Sequence, residues 1–176
     1  MFKTKRILLV LGVILAFFTL SGCSKNSNTT DTKEQNMASQ TARVLTSRGE
    51  FAIELDAQAA PKTVENFVKK GTEGYYKEKI FHRVEDWVVQ GGDPQGTGMG
   101  GGDQATELSD RNFAEGAVGV ARAGDIKVSN DSQFFICTKD CSFLNNQYTY
   151  FGKVTSGMDI VKKIQIGDKI ESIEIK

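Results

Sequence analysis

The chain has 176 residues, with Lys+Arg and Asp+Glu equal at 22 each and a sequence pI near 6.6. That balance supplies no basic face, which argues against nucleic acid as a partner. The length suits one domain with a sizeable core, and 18 Gly against 2 Pro suits a turn-rich β protein better than a helical bundle.

Residues 1–22 read as a targeting segment rather than as part of the fold. Lys3, Lys5 and Arg6 form a positive start, and Ile7 to Leu20 is an apolar run too short for a comfortable membrane span. The block Leu20-Ser21-Gly22-Cys23 resembles a bacterial lipoprotein signal, in which the Cys is acylated and becomes the mature N-terminus. That resemblance implies a cell-membrane protein, lipid-anchored through Cys23 on the extracytoplasmic face. Residues 23–40 are polar and cannot bury enough surface to offset their entropy, so they read as a disordered linker. Its root-mean-square reach is roughly 20–25 Å. The folded domain is expected over residues 41–176.

Within that domain, Ala42–Thr46 and Phe51–Asp56 alternate around a turn and predict a β-hairpin. Pro61 suits a first helical turn, and Val64, Phe67 and Val68 give the helix an apolar face. Gly71 and Gly74 are expected to end that helix. The stretch Phe81 to Asp93 reads as two strands broken at Glu85-Asp86, with Phe81 and Arg83 on one face and His82 on the other. Val88 and Gln90 also share a face. Gly96 to Gly101 matches G-x-G-x-x-G, but no helix follows, so an exposed loop over the strand pair fits better than a nucleotide site. Short strands are expected at Ala117–Ala121, Gln133–Thr138 and Tyr148–Val154, a short helix at Met158–Ile164, and a closing strand within Ile166–Ile175. Many short strands, two helices and no βαβ rhythm predict a mainly β fold, a closed antiparallel barrel. Cys137 and Cys141 either pair outside the cytoplasm or stay as thiols, a buried thiol being the commoner outcome in an apolar strand. With a single His, no Cys/His cluster has metal spacing.

Four blocks stand in order along the chain: Phe81-His82-Arg83-Val84, Gln90-Gly91-Gly92-Asp93-Pro94, Ser132-Gln133-Phe134-Phe135-Ile136, and Tyr150-Phe151-Gly152-Lys153-Val154. Together they resemble the cyclophilins, a family of peptidyl-prolyl cis/trans isomerases, from about Ala42 to the C-terminus. The resemblance implies an eight-stranded barrel capped by two helices. It implies Arg83 as the catalytic residue. Trp87, Val88, Gln90, Ala121, Arg122, Gln133, Phe135, Phe143, Leu144 and Tyr148 would form the substrate groove, with Arg122 acting mainly through its backbone. Trp87 stands where the family has Phe, Val88 where it usually has Met, and Tyr148 where many members have His. Asn145-Asn146 replaces the more usual Asp-Gly turn. The segment from Arg83 to Gln90 is one residue shorter than the family's, and the gap is best placed in the turn, since a slip within a strand would flip its faces.

The chemistry so implied needs no cofactor and no metal. The barrier of ~18–20 kcal/mol comes from partial double-bond character in the C–N bond. A catalyst must favour the twisted state, whose nitrogen is pyramidal and more basic, and a fixed Arg donor suits it. With no group changing protonation, the rate should be nearly flat from about pH 5.5 to 8.5, and His82 on the opposite face should matter little. The expected partners are proline-containing peptides and unfolded exported proteins. Cyclosporin is expected to bind weakly, because Phe143 stands where the drug-binding members have Trp. The alternative is a proline-peptide-binding chaperone or adhesion module with weak isomerase activity. A hydrolase using His82 with Ser132 or Cys137 has no supporting spacing.

Overall fold

The computed structural model describes residues 40–176. The lipidation and linker expectations at Cys23 and before residue 40 lie outside the described residues.

The first hairpin forms as expected, from β1 (Gln40–Thr46) and β2 (Gly49–Leu55). Its alternate residues Ala42, Val44, Phe51 and Ile53 are buried, as a one-sided strand pair requires. Helix α1 (Pro61–Thr72) follows, with Pro in its first turn and with Val64 and Phe67 on its buried face. Its first free N–H groups, on Lys62 and Thr63, donate to the Glu107 carboxylate at 3.1 and 2.8 Å. Gly71 does not end the helix. It lies inside the last turn, where a Cβ would stand 3.2 Å from Ile173, so the missing side chain lets the final strand pack close. Gly74, at φ 71°, makes the exit.

Next come β3 (Phe81–Glu85), β4 (Val88–Gly91), the short β5 (Asp103–Ala105), β6 (Ala117–Val120), the short β7 (Val128–Asn130) and β8 (Phe134–Cys137). A 3-10 turn at Ser142–Leu144, β9 (Tyr150–Ser156), the single-turn α2 (Met158–Val161) and β10 (Ile170–Ile175) complete the chain. Eight strands form one antiparallel sheet in the order β10-β1-β2-β9-β6-β8-β4-β3, while β5 and β7 pair separately.

The sheet curls into a half-barrel, and the expected closure is not made. β3 and β10 share no ladder, only a single bridge between Ile80 and Lys169. Two local features shorten the seam. A bulge bends β3 near its start, and the chain turns at Gly167 (φ 91°) before β10 begins at Ile170. Backbone bonds still satisfy the gap, among them Phe81 N–H to Asp168 O and Ile170 N–H to Lys79 O, at 2.9 and 2.8 Å.

Strand alternation divides the buried apolar residues in two. Val89, Val118, Phe134 and Ile136 face the main core with Phe67, Tyr76 and Phe151. Val88, Phe135 and Cys137 face the other way and join Phe113, Ala117, Cys141, Leu144 and Tyr150. β8 is buried on both faces, which explains its unbroken apolar run. Cys137 and Cys141 are buried free thiols, and burial pushes both thiol pKa values up.

Candidate active site

The second apolar cluster carries a groove on its outer side. The β3–β4 hairpin builds one wall, with Glu85 opposite Val88 and a turn at Asp86-Trp87. Arg83 pairs directly with Gln90 across the hairpin, so the short segment between them leaves their contact intact. On β4, Val88 and Gln90 share the groove face, and in the adjacent strand Gln90 pairs with Phe135.

The open cavity, of about 370 Å³, is lined by Arg83, Trp87, Val88, Gln90, Ala121, Arg122, Phe135, Leu144 and Tyr148, together with His82, Thr97 and Gly98. Its floor is Phe135, stacked on Phe113 at 5.7 Å and met edge-on by Tyr148 at 5.8 Å. Leu144 reaches the cavity from the 3-10 turn, whose exit runs through Asn146 at φ 58°, a conformation that Asn tolerates. The Arg122 guanidinium lies 4.5 Å over the Tyr148 ring and donates to Gln147 O at 2.8 Å. The backbone of Ala121 is held by Gln133 O and Asn130 N–H.

Arg83 is only partly covered. Its Nε donates to Glu85 at 2.7 Å and its Nη1 to Gln90 Oε1 at 3.2 Å, while the guanidinium stacks 5.1 Å over Trp87. Nη2 has no hydrogen-bond partner among the described residues. The Arg83 guanidinium, through its hydrogen bond, holds the Glu85 carboxyl below the usual range.

Two expected groove residues do not line this cavity. Gln133 is buried behind Gln90, accepting from its Nε2 at 3.0 Å. Phe143 is 57% exposed and packs edge-on against Trp87 at 5.2 Å, as part of the rim.

His82 corrects the expectation of strict alternation. Phe81 pairs with Gly91 and Arg83 with Gln90, which leaves His82 as an extra, bulged residue. A bulge breaks the two-residue period. Phe81 therefore points into the core, while His82 and Arg83 both face the groove. Thr97 and Gly98 reach it because Asp93, itself buried, gathers the backbone N–H groups of Gln95, Thr97 and Gly98 at 3.1, 2.7 and 2.6 Å. The Gly-rich segment is thus a loop folded over the hairpin. Among the described residues no group of three or more His, Cys, Asp or Glu could hold a metal ion.

Residues 41–175 match the family described as cyclophilin type peptidyl-prolyl cis-trans isomerase/CLD. The chain belongs to that family. It is 38% identical over 153 residues to a peptidyl-prolyl cis-trans isomerase of Helicobacter pylori, a match covering 82% of this chain and 93% of that protein. It is 39% identical over 138 residues to peptidyl-prolyl cis-trans isomerase B of Bacillus subtilis, covering 76% and 95%. A crystal structure of a cyclophilin type isomerase from Cryptosporidium parvum superposes with a TM-score of 0.73 at 30% identity, covering 79% of this chain and 98% of that one. A second structure of that protein was determined in the presence of the dipeptide Ala-Pro. The chain is accordingly an enzyme, a cyclophilin-type peptidyl-prolyl cis-trans isomerase.

Proposed function

We propose that this groove accelerates Xaa-Pro isomerisation in exported proteins, working from a lipid anchor at Cys23. The observation that carries the site assignment is the meeting of the Arg83 guanidinium with the apolar floor of Phe135 in one open cavity. The proline ring rests on Phe135 between Val88 and Leu144. Gln90 and the backbone at Ala121 and Arg122 hold the flanking peptide, and Gln133 supports Gln90 from behind.

Rotation about the C–N bond pyramidalises the proline nitrogen and gives it a lone pair. Arg83 donates to that lone pair, with Nη2 as the N–H group free to turn toward it. The donor is worth more in the twisted state than in the planar one, so it raises the rate rather than only tightening binding. Glu85 and Gln90 hold the guanidinium in place, which spares reorganisation during the step.

The lipid anchor is supported by the Leu20-Ser21-Gly22-Cys23 block after an apolar run, and the exported clients by that address. The exposed Phe143 and the half-buried Trp87 form an aromatic rim to which cyclosporin would bind weakly. One observation favours a groove that binds proline peptides more than it turns them over: the Glu85 carboxylate at Nε of Arg83 partly neutralises the guanidinium and would weaken it as a donor. Exchange NMR on a proline tetrapeptide separates the readings. Catalytic cis/trans exchange at substoichiometric protein supports the isomerase. Chemical-shift changes without faster exchange would support the binding module.

A further inference from the structure

The polar side chains behind Arg83 form one chain of hydrogen bonds, and its direction is set at the far end. The carbonyls of Gly98 and Gly100 can only accept, so Nε2 of Gln133 points at them, at 3.1 and 2.8 Å. Gln133 Oε1 therefore faces Gln90 and accepts from Nε2 at 3.0 Å. Gln90 Oε1 is then left for Nη1 of Arg83 at 3.2 Å. The other N–H of Gln90 meets His82 Nε2 at 3.3 Å. An amide N–H only donates, so His82 Nε2 must accept, and the imidazole is neutral with its proton on Nδ1. That Nδ1 is buried and has no hydrogen-bond partner among the described residues.

We infer that His82 is a positioning residue for Arg83: as a neutral acceptor it fixes the Gln90 amide, and uptake of a proton on Nε2 breaks the Gln90–Arg83 contact and slows the enzyme in acid. Two donors cannot share the His82–Gln90 contact. Turning the amide over would relieve it, but would set Gln90 Oε1 against Gln133 Oε1 and the Gln90 N–H groups against Arg83. Either adjustment costs the chain its order.

The charges around the imidazole agree with this. Burial disfavours the second proton, and the neighbouring Arg83 disfavours it further, while Asp93 from the loop after β4 favours it. The balance lies below the ordinary imidazole value. Uncharged groups cover the other sides: Gln90 from β4, and Gly98, whose Cβ would stand 3.5 Å from the ring. The inference rests on the reading of Arg83 as the donor.

The chain has one histidine, so imidazole ¹⁵N shifts of the full-length protein report His82 alone. At pH 7.5, Nδ1 should be protonated and Nε2 bare. On acidification below about 6.5, kcat/KM for a peptide without titrating groups should fall roughly tenfold, carried by kcat, with the midpoint of the His82 shift. That factor corresponds to the loss of one charge-assisted contact. His82→Gln keeps an acceptor at every pH, so its profile should stay flat through the range in which the wild type declines, whatever its rate at pH 7.5. An Nε2–H tautomer at neutral pH would overturn the inference. So would a flat wild-type profile through the His82 titration, or an acid decline that persists in His82→Gln. Arg83→Ala at pH 7.5 separates the two layers. A wild-type rate there removes the donor reading and this inference with it. A slow Arg83→Ala beside a flat wild-type profile removes this inference alone.

Discussion

A methyl group added at Gly119 would test whether the groove floor is as tightly backed as the packing indicates. Gly119 lies on β6 opposite Phe135 of β8. A Cβ there would stand 2.6 Å from Phe113 Cε1 and 2.9 Å from Phe135 Cε1, and closer still to Phe135 Cζ. Ordinary carbon contacts lie at about 3.5–4.0 Å, so two stacked, buried rings must yield by nearly 1 Å. Overpacking of that kind costs about 1–3 kcal/mol. The lower chain entropy of unfolded Ala offsets about 0.4–1 kcal/mol of it. The net loss of about 1–2 kcal/mol should lower Tm by roughly 3–10 °C. Phe113 is backed by Tyr150 at 5.7 Å, so the displaced Phe135 ring should rise into the cavity. KM for a proline peptide should therefore rise several-fold, with kcat less affected. Thermal melts and isomerase kinetics on Gly119→Ala provide the assay. An unchanged Tm with an unchanged KM would refute the account of the floor.

Cys23→Ala should abolish lipid attachment and release the protein from the membrane fraction, and labelled fatty acid still entering that variant would count against the anchor. Phe143→Trp should tighten cyclosporin binding, because Trp adds an N–H donor at the exposed rim; titration of isomerase inhibition checks it. Asp93→Asn should destabilise the loop by about 1–3 kcal/mol at pH 7, measured by urea unfolding. Burial raises the Asp93 pKa, but the N–H groups of Gln95, Gly98 and Thr97 outweigh it and hold the value low. Its contribution is therefore present above the unfolded carboxyl value of about 3.9 and is lost as pH falls through the folded one. The gap between variant and wild type should narrow in acid.

Much of the site was legible because alternation is a local rule. Val88 and Gln90 on one face follow from the two-residue period that β4 obeys, whereas Phe135 was placed beside them by the family resemblance, and its pairing with Gln90 shows only once β4 and β8 are in register. His82 was not legible. One extra residue in a strand leaves no mark in composition, and its effect shows only when the partner strand fixes the register. Gln133 was expected in the groove, yet its side chain supports Gln90 instead, since the backbone carbonyls of the Gly-rich loop capture its amide. Glu107 capping α1 across 44 residues could not be read from any local pattern. The short β5–β7 pair is polar and carries no apolar period. Closure of the barrel depends on where β3 and β10 start and bend, which is a tertiary outcome and not a property of either segment alone.

The role proposed for Arg83 is that of transition-state donor. It is tested by kcat/KM for Xaa-Pro exchange on folded wild type, Arg83→Ala and Arg83→Lys at pH 7.5. Loss of one well-placed donor should lower kcat/KM of Arg83→Ala by about two to three orders of magnitude, mainly through kcat. Lys keeps the charge without the planar fork held by Glu85 and Gln90, so Arg83→Lys should recover only part of the rate. Wild-type turnover in a folded Arg83→Ala would contradict the account.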